Sequence, residues 1–303
     1  MENLLLIVGP TAVGKSKLGL YLAKKFNGEI ISADSMQVYK GMDIGTAKVP
    51  ANVRREIKHH LIDVLEPTQK FSVKKFQELA SKKILDITAR NKLPILVGGS
   101  CLYIDALVFS YKIPIVYDLK YRERLYKIAK LKGNLYLYRF LKSKDPKACE
   151  KIHVNDTKRI IRALEVCKKT KKKFSDFAQK NLKYNTLWLG LTMQREKLYK
   201  QIDYRVDEMI KNGFIAEVRE LLKKGFDSKL TSMQAIGYKE IVAYLNKQLS
   251  LEEAIYMIKK NTRNYAKRQL SWFKRIKEIV WFDITNSSVL VKIEDLVAGK
   301  FFK

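Results

Sequence analysis

Eight consecutive residues near the start of the chain follow the pattern of a phosphate-binding loop, Gly-x-x-x-x-Gly-Lys-Ser. They are Gly9, Pro10, Thr11, Ala12, Val13, Gly14, Lys15 and Ser16. The two glycines let the backbone turn tightly, so that several N–H groups face inward and can bind a phosphate. Lys15 supplies a point charge for the terminal phosphates, and the Ser16 hydroxyl can bind a magnesium ion (Mg²⁺). The motif therefore predicts a bound diphosphate or triphosphate, without indicating which molecule carries it.

The segments on either side of this loop are the ones that such a motif requires. The apolar run 4–8 is typical of a buried parallel strand, and the amphipathic stretch 17–26 predicts a helix. The N-terminus of that helix adds its partial positive charge to the loop. Because both neighbours fit, a chance match on a glycine turn is the less favoured interpretation.

Short apolar strands alternate with helices over residues 1–110, which predicts an α/β fold with a parallel sheet. Further strands are predicted at 28–32, 95–97, 187–191 and 280–282. Helices are predicted at 73–91, 119–131, 134–143, 156–170, 196–212, 215–224 and 252–276. Ligands of such sheets bind at the carboxyl ends of the strands. We therefore expect the strand ends at 9–16, 34–35 and 98–100 to meet at one cleft.

The charge of the chain points to a polyanionic partner. The chain has 60 Lys and Arg residues against 31 Asp and Glu residues, a net charge of +29. Residues 111–180 alone hold 21 basic and 7 acidic residues, a net charge of +14. A lysine-rich proteome would account for part of the total but less well for this concentration. The sequence predicts a core of residues 1–112 and 184–303, with a basic helical insertion at 113–183.

Composition excludes several other classes of protein. A hydrophobic fraction of 47% is ample for a core. No run of about 18 apolar residues is present, so no membrane span is expected. The chain starts directly with a predicted strand and not with a signal peptide, so we expect a cytoplasmic protein. The three cysteines and three histidines fit neither a disulfide framework nor a zinc site.

Asp34 follows a predicted strand, one strand end away from the phosphate-binding loop. A carboxylate there can bind magnesium or accept a proton from a nucleophile. It can equally cap the next helix, and the residues alone do not decide between these roles. Since no second strand ends in a metal-binding Asp of the nucleotide-hydrolase kind, kinases and other transferases both stay open.

Six segments of the chain together resemble the bacterial tRNA dimethylallyltransferases, in the same order and over nearly the whole length. They are DSMQVYKGMDIGTAK (34–48), HHLID (59–63), LVGGSCLY (96–103), NDTKRIIRALE (155–165), AIGYKE (235–240) and AKRQLSWF (266–273). The resemblance implies a P-loop NTPase-like parallel sheet flanked by helices, with an inserted all-helical tRNA-binding domain. It further implies transfer of a dimethylallyl group from dimethylallyl diphosphate to N6 of adenine 37 in tRNA, with magnesium as cofactor.

The resemblance also implies roles for particular residues. The loop 9–16 would hold the diphosphate, with Ser16 binding magnesium and Arg205 clamping the diphosphate from a helix. Arg195 is a weaker candidate for the clamp, and without the resemblance Arg205 is read as an exposed helix residue. Asp34 would accept a proton or hydrogen bond from N6. Residues implied to contact the tRNA anticodon stem-loop are Asp34, Ser35, Met36, Gln37, Ser100, Tyr103, Lys158, Arg159 and Arg162.

Some of these residues have simpler interpretations, and three other functions stay open. Arg159 and Arg162 also fit a solvated helix face, and Trp272 and Phe273 fit a core better than a base-stacking surface. The alternatives are a nucleotide kinase, an adenylate isopentenyltransferase acting on free nucleotides, and a non-catalytic RNA-binding module. The basic insertion argues against the first of these, and the intact Lys15 argues against the last. RNA binding that weakens steeply as the salt concentration rises would distinguish an RNA-binding protein from an enzyme that acts on free nucleotides. We expect a monomer.

Overall fold

The computed structural model describes residues 1–178, 182–286 and 288–302. The chain divides into two compact units. The first consists of Met1–Ile104 and Tyr184–Lys303, and the second of Asp105–Lys183. No helix in the described part of the chain is long and apolar enough to cross a membrane.

The first unit is built on one six-stranded sheet. Its strands are β1 (Asn3–Val8), β2 (Gly28–Ala33), β3 (His59–His60), β4 (Leu93–Gly98), β5 (Asn185–Thr192) and β6 (Ile279–Asp283). They lie in the order β3-β2-β4-β1-β5-β6, and every neighbouring pair is parallel. The predicted parallel α/β sheet is confirmed. Since β2, β4 and β1 are adjacent, their carboxyl ends lie side by side.

Thirteen α-helices are present among the described residues. They are α1 (Lys15–Lys25), α2 (Ala51–Glu56), α3 (Val73–Ala89), α4 (Cys101–Val108), α5 (Leu119–Lys132), α6 (Asn134–Lys144), α7 (Pro146–Cys149), α8 (Thr157–Thr170), α9 (Arg195–Lys211), α10 (Phe214–Lys223), α11 (Tyr238–Leu245), α12 (Leu251–Phe273) and α13 (Val289–Phe301). Gly213 and Gly225 have positive φ angles directly after α9 and α10, as expected for glycines that end helices. The structure thus contains every predicted helix, with ends shifted by a few residues.

Two apolar cores stabilise the first unit. One joins the central strands to α1, α12 and α13, and it includes Leu5, Leu22 and Ile95. The strands read as continuous apolar runs because a parallel sheet is covered on both faces. The other core lies between α9–α11 and the segment after β2, where Tyr39 and Tyr238 are almost fully buried. The segment that follows β2 is therefore held by helices from much later in the chain.

The second unit contains α5 to α8 and a short 3₁₀ helix, Phe174–Ala178. Its described residues include no strand, and its core is formed by apolar side chains such as Leu137, Leu141 and Ile160. Asp156 caps α8, because its side chain accepts a hydrogen bond from the N–H of Arg159. The helix predicted over 156–170 is therefore present and begins directly after this cap. Residues 179–181, which fall inside the predicted insertion, lie outside the described residues.

Candidate functional site

The loop between β1 and α1 has the backbone that the glycine pattern predicts. Gly9 and Gly14 have φ angles of 142° and 92°, which other residues rarely adopt. A Cβ atom on Gly9 would lie 2.5 Å from the carbonyl oxygen of Leu191, so only glycine fits there. Within the described residues, no side chain caps the N-terminus of α1. The N–H groups of its first turn are therefore available to an anion.

A polar cleft lies at the carboxyl ends of β1, β2 and β4, as expected from the sequence. Residues that line it from these strand ends include Thr11, Lys15, Ser16, Asp34, Gln37, Gly98 and Gly99. Helix α9 contributes Arg205, and α12 contributes Tyr265 and Gln269. The cleft thus collects phosphate-binding groups, two cations and one carboxylate in a single place.

The two cations in the cleft make it ready for an anion. The Lys15 Nζ donates a hydrogen bond to the carbonyl oxygen of Pro10 at 2.6 Å. Burial, followed by the positive charge of Arg205, lowers the pKa of Lys15 to about 7, although Asp34 opposes the shift. Burial also lowers the pKa of Arg205. An anion in the cleft would offset both effects. Arg205 thus lines the cleft and is not a solvent-facing helix residue, while its role as a clamp stays a prediction.

Asp34 caps a turn and not the next helix, which begins only at Ala51, and its catalytic roles stay predictions. Its Oδ1 accepts hydrogen bonds from the N–H groups of Met36, at 2.8 Å, and Gln37, at 3.3 Å. The carboxylate therefore caps the turn after β2, which fixes its position. Among the described residues, Oδ2 accepts no hydrogen bond, and the side chain lines the cleft. One oxygen thus holds the turn, and the other can accept a proton.

A second, more apolar cavity of about 300 Å³ adjoins the cleft. Asp34 and Arg205 line both spaces, while Ser35 and Met36 line the cavity. Its apolar wall is formed by side chains of α9, α10 and α12, namely Ile202, Val206, Met209, Phe214 and Ile258. The carboxylate therefore lies where a cationic, phosphate-binding space meets an apolar one.

Two of the residues predicted to contact RNA line neither space. Ser100 is buried, and its Oγ accepts a hydrogen bond from the N–H of Ser35 at 3.1 Å. The Tyr103 hydroxyl donates to the carbonyl oxygen of Phe71, and burial raises the pKa of Tyr103 to about 12. The Tyr103 ring also packs against Phe76. These contacts support the loops around the cleft, and a direct contact with RNA stays a prediction.

The predicted RNA-binding residues of the second unit differ from one another in their surroundings. Lys158 and Arg159 are exposed at the start of α8. The Arg162 guanidinium, in contrast, donates hydrogen bonds to buried Glu165 and to the carbonyl oxygens of Pro114 and Val116. Arg162 therefore stabilises the unit itself, and its contact with RNA stays a prediction.

Gln269 is a site residue for which no role was predicted from the sequence. This buried side chain accepts a hydrogen bond from the N–H of Thr11 at 2.8 Å and donates one to the carbonyl oxygen of Gly99 at 3.0 Å. It thereby ties the phosphate-binding loop to the end of β4. The available signal is its spacing, since Gln269 lies three residues after Ala266 and four before Phe273, on the buried face of α12.

The donor set of the cleft fits a magnesium ion that arrives with a phosphate ligand. Among the described residues, no group of three or more His, Cys, Asp or Glu side chains could hold a metal by itself. The Ser16 hydroxyl and the Asp34 carboxylate do line the same cleft. Magnesium commonly keeps several water ligands and binds through one or two protein oxygens together with substrate phosphates.

The lowered pKa of Lys15 predicts that anion binding takes up a proton. At about pH 8 most Lys15 side chains are neutral, and inorganic diphosphate would raise their pKa and favour the ammonium form. We expect proton uptake of nearly one per site, measured by titration calorimetry in buffers of different ionisation enthalpy. The affinity should fall as the pH rises through about 7 and 8.

Diphosphate itself also takes up protons, so the comparison is made with Lys15→Met, which should lose most of the uptake. Lys17→Met changes an exposed lysine of the same helix and should behave like the parent chain. Equal proton uptake by the parent chain and by Lys15→Met would contradict the assignment.

The chain is similar to proteins of one family over almost its whole length. It is 53% identical over 293 residues to the tRNA dimethylallyltransferase of Carboxydothermus hydrogenoformans, covering 95% of this chain and 94% of that protein. It is 48% identical over 307 residues to the tRNA dimethylallyltransferase of Geobacillus thermodenitrificans, covering 99% and 97% of the two chains.

Solved structures give the same result. The full-length tRNA isopentenylpyrophosphate transferase of Bacillus halodurans is 44% identical, with a TM-score of 0.75 and coverage of 99% of this chain and 97% of that chain. A eukaryotic dimethylallyltransferase acting on tRNA is 32% identical, with a TM-score of 0.81 and coverage of 99% and 80%. The family model described as IPP transferase matches residues 37–276, and the chain belongs to the IPP transferase family.

Proposed function

We propose that this chain transfers a dimethylallyl group from dimethylallyl diphosphate to N6 of adenine 37 in tRNA and releases diphosphate. Dimethylallyl transfer to tRNA is the activity for which its relatives are named. The observation that carries the finer proposal is the placement of Asp34, between a cleft with two cations and an apolar cavity. An allylic diphosphate has one charged end, which suits the cationic cleft, and one apolar end, which suits the apolar cavity.

The cleft would stabilise the leaving group. As the bond between C1 of the dimethylallyl group and the diphosphate oxygen breaks, negative charge accumulates on the diphosphate. Lys15, Arg205 and the N–H groups at the start of α1 lie where they can neutralise that charge. Magnesium, bound to the diphosphate with Ser16 Oγ as a protein ligand, would supply further positive charge.

Asp34 would act on the acceptor. The N6 amine of the extruded adenine forms a bond to C1, while the electron pair of the C1–O bond leaves with the diphosphate. The amine thereby gains positive charge and loses one proton, which the free Oδ2 of Asp34 accepts. Extrusion of the base costs a few kcal/mol, and it costs least in an unpaired loop.

One further feature favours a large RNA as the acceptor over a free nucleotide. The strongly basic stretch 111–180, with a net charge of +14, forms most of a separate helical unit. Neither a nucleotide kinase nor an adenylate isopentenyltransferase needs such a unit. We infer that the partner is the tRNA anticodon stem-loop, that the chain works as a monomer, and that it works in the cytoplasm, where tRNA is found.

Mass analysis of nucleosides tests the proposed reaction directly. The purified chain is incubated with an unmodified tRNA that carries three adenines at positions 36–38, with dimethylallyl diphosphate and magnesium. Adenosine 37 should gain the mass of one dimethylallyl group, because both substrates meet at Asp34. The matched control is the same tRNA with guanine at position 37, which should gain nothing. A gain on free adenylate but not on tRNA would refute the proposal.

Exposed basic residues at the start of α8 should contribute to RNA binding. The double variant Lys158→Ala, Arg159→Ala should weaken the binding of an anticodon stem-loop and lower its salt slope by roughly 1 to 2, since each lost phosphate contact removes a little under one unit. The control variant Lys292→Ala, Lys300→Ala removes the same charge from exposed positions on α13.

Binding is measured by fluorescence anisotropy over a range of salt concentrations. Equal salt slopes for the two double variants would show that the α8 residues form a solvated face only. Arg162 is left unchanged in this experiment, because its removal would leave buried Glu165 with one partner fewer.

A further inference from the structure

Glu217, on α10, accepts four hydrogen bonds, and three of them come from consecutive backbone N–H groups. Its Oε2 accepts hydrogen bonds from the N–H groups of Asp43, at 2.8 Å, and Ile44, at 2.7 Å. Its Oε1 accepts one from the N–H of Gly45, at 3.2 Å, and one from the Tyr238 hydroxyl, at 2.6 Å. Three consecutive backbone N–H groups and one phenol thus point at one ionised group, an arrangement suited to a carboxylate.

The loop that Glu217 binds is tightly packed on its other sides. A Cβ atom on Gly45 would lie 2.2 Å from the Phe214 ring and 2.5 Å from the Tyr238 ring, so the loop approaches these rings as closely as glycine permits. The Thr46 hydroxyl donates to the carbonyl oxygen of Met42 at 2.6 Å. The loop therefore has little conformational freedom once it is hydrogen-bonded to the Glu217 carboxylate.

The opposite end of the same loop is held by a lysine. The Lys48 side chain is almost fully buried, and its Nζ donates to the carbonyl oxygen of Tyr39 and to the carboxylates of Asp43 and Asp63. Residues 43–48 are therefore held by Glu217 from α10 and by Lys48 from within the segment after β2. Of the two, Glu217 is the one that comes from a distant part of the chain.

Hydrogen bonds continue from this loop to the candidate catalytic carboxylate. The Gln37 Nε2 donates to the carbonyl oxygen of Thr46 at 3.1 Å, and Gln37 Oε1 accepts from the Ser32 hydroxyl at 2.9 Å. The N–H of Gln37 donates to Asp34 Oδ1. Thr46 also lines both the cleft and the apolar cavity. A change in the loop would therefore reach both the orientation of Asp34 and the wall between the two spaces.

We propose that Glu217 is a positioning residue for the transfer reaction. Its carboxylate holds residues 43–47 in place, so that Gln37 orients Asp34 and Thr46 shapes the passage between cleft and cavity. Glu217 lines neither space and touches no reacting atom. This inference rests on the proposed function, since it assigns Glu217 to the step in which Asp34 takes the proton from N6.

The test is the single-turnover transfer rate of Glu217→Gln. The amide keeps the size of the side chain, but its NH₂ group must face a backbone N–H or the Tyr238 hydroxyl. The rate should fall about 10- to 100-fold, because a misplacement of about 1 Å near reacting atoms has effects of that order. The affinity for inorganic diphosphate should change by less than about threefold, because the four donors to Glu217 among the described residues include neither Lys15 nor Arg205.

Glu220→Gln is the matched control, because Glu220 lies on the same helix, is exposed and, within the described part of the chain, forms an ion pair only with Lys223. It should behave like the parent chain. Tyr238→Phe removes one of the four donors and should reduce the rate less than Glu217→Gln does. Should Glu217→Gln fail to fold, Glu217→Asp replaces it, since the shorter side chain keeps the charge but cannot reach all four donors.

Two results would overturn the inference. One is a parent-like transfer rate in Glu217→Gln. The other is an equal loss of transfer rate and diphosphate affinity together with a lower melting temperature, which would make Glu217 a general stabiliser of the fold. Absence of transfer in the parent chain would refute the proposed function, and with it the inference that rests on it.

Discussion

The burial of two cations, Lys15 and Arg205, in one cleft partly closed to water is the constraint on which the rest of the site depends. Burial lowers the pKa of both side chains, and the positive charge of Arg205 adds to the effect on Lys15. Asp34 offsets only part of this cost. A diphosphate with its magnesium would remove it, so the cleft favours an anionic ligand more strongly than an exposed pair of cations would. The loop, the start of α1 and Arg205 all border the cleft that such an anion would occupy.

The fold brings these groups together through adjacent strands and distant helices. Because β2, β4 and β1 are neighbours, the phosphate-binding loop, Asp34 and the end of β4 reach the same edge of the sheet. Helices α9 and α12 then supply Arg205 and Gln269 from more than 180 positions later in the chain than the loop. The strand ends therefore position the phosphate-binding loop and Asp34. Helix α9 adds the positive charge of Arg205, and α12 holds the loop through Gln269.

The sequence was sufficient to predict that the phosphate-binding loop and Asp34 share one cleft, and it missed the side chains that hold these segments in place. The loop was recognisable because two glycines, a lysine and a hydroxyl residue have a fixed spacing between a strand and a helix. Gln269 and Glu217 act on backbone groups far away in the chain, and no local pattern encodes such pairs. Helix α11 was not predicted because it has only eight residues. Helix α4 was not predicted because nearly all of its residues are apolar, so that no helical alternation of apolar and polar positions is visible.

Arginine side chains show the same limit of sequence reasoning. Arg162 and Arg159 look alike in the sequence, yet Arg162 binds buried Glu165 while Arg159 is exposed. Arg205 looks like an exposed helix residue, yet it lines the cleft. In each case the surroundings of the guanidinium depend on which residues the fold places beside it. Hydrophobic periodicity carries no information about those residues. The resemblance to a family predicted a place for Arg205 in the site, which periodicity did not.

The most direct test of the account is the single-turnover transfer rate of Asp34→Asn, measured together with its tRNA affinity. Asparagine keeps an oxygen that can accept hydrogen bonds from the N–H groups of Met36 and Gln37, so the turn should survive. Its amide cannot accept the proton from N6. We predict a rate lower by about 10²- to 10⁴-fold, as for the loss of a general base, with tRNA affinity within about threefold of the parent chain. An unchanged rate, or a loss of affinity as large as the loss of rate, would contradict the account.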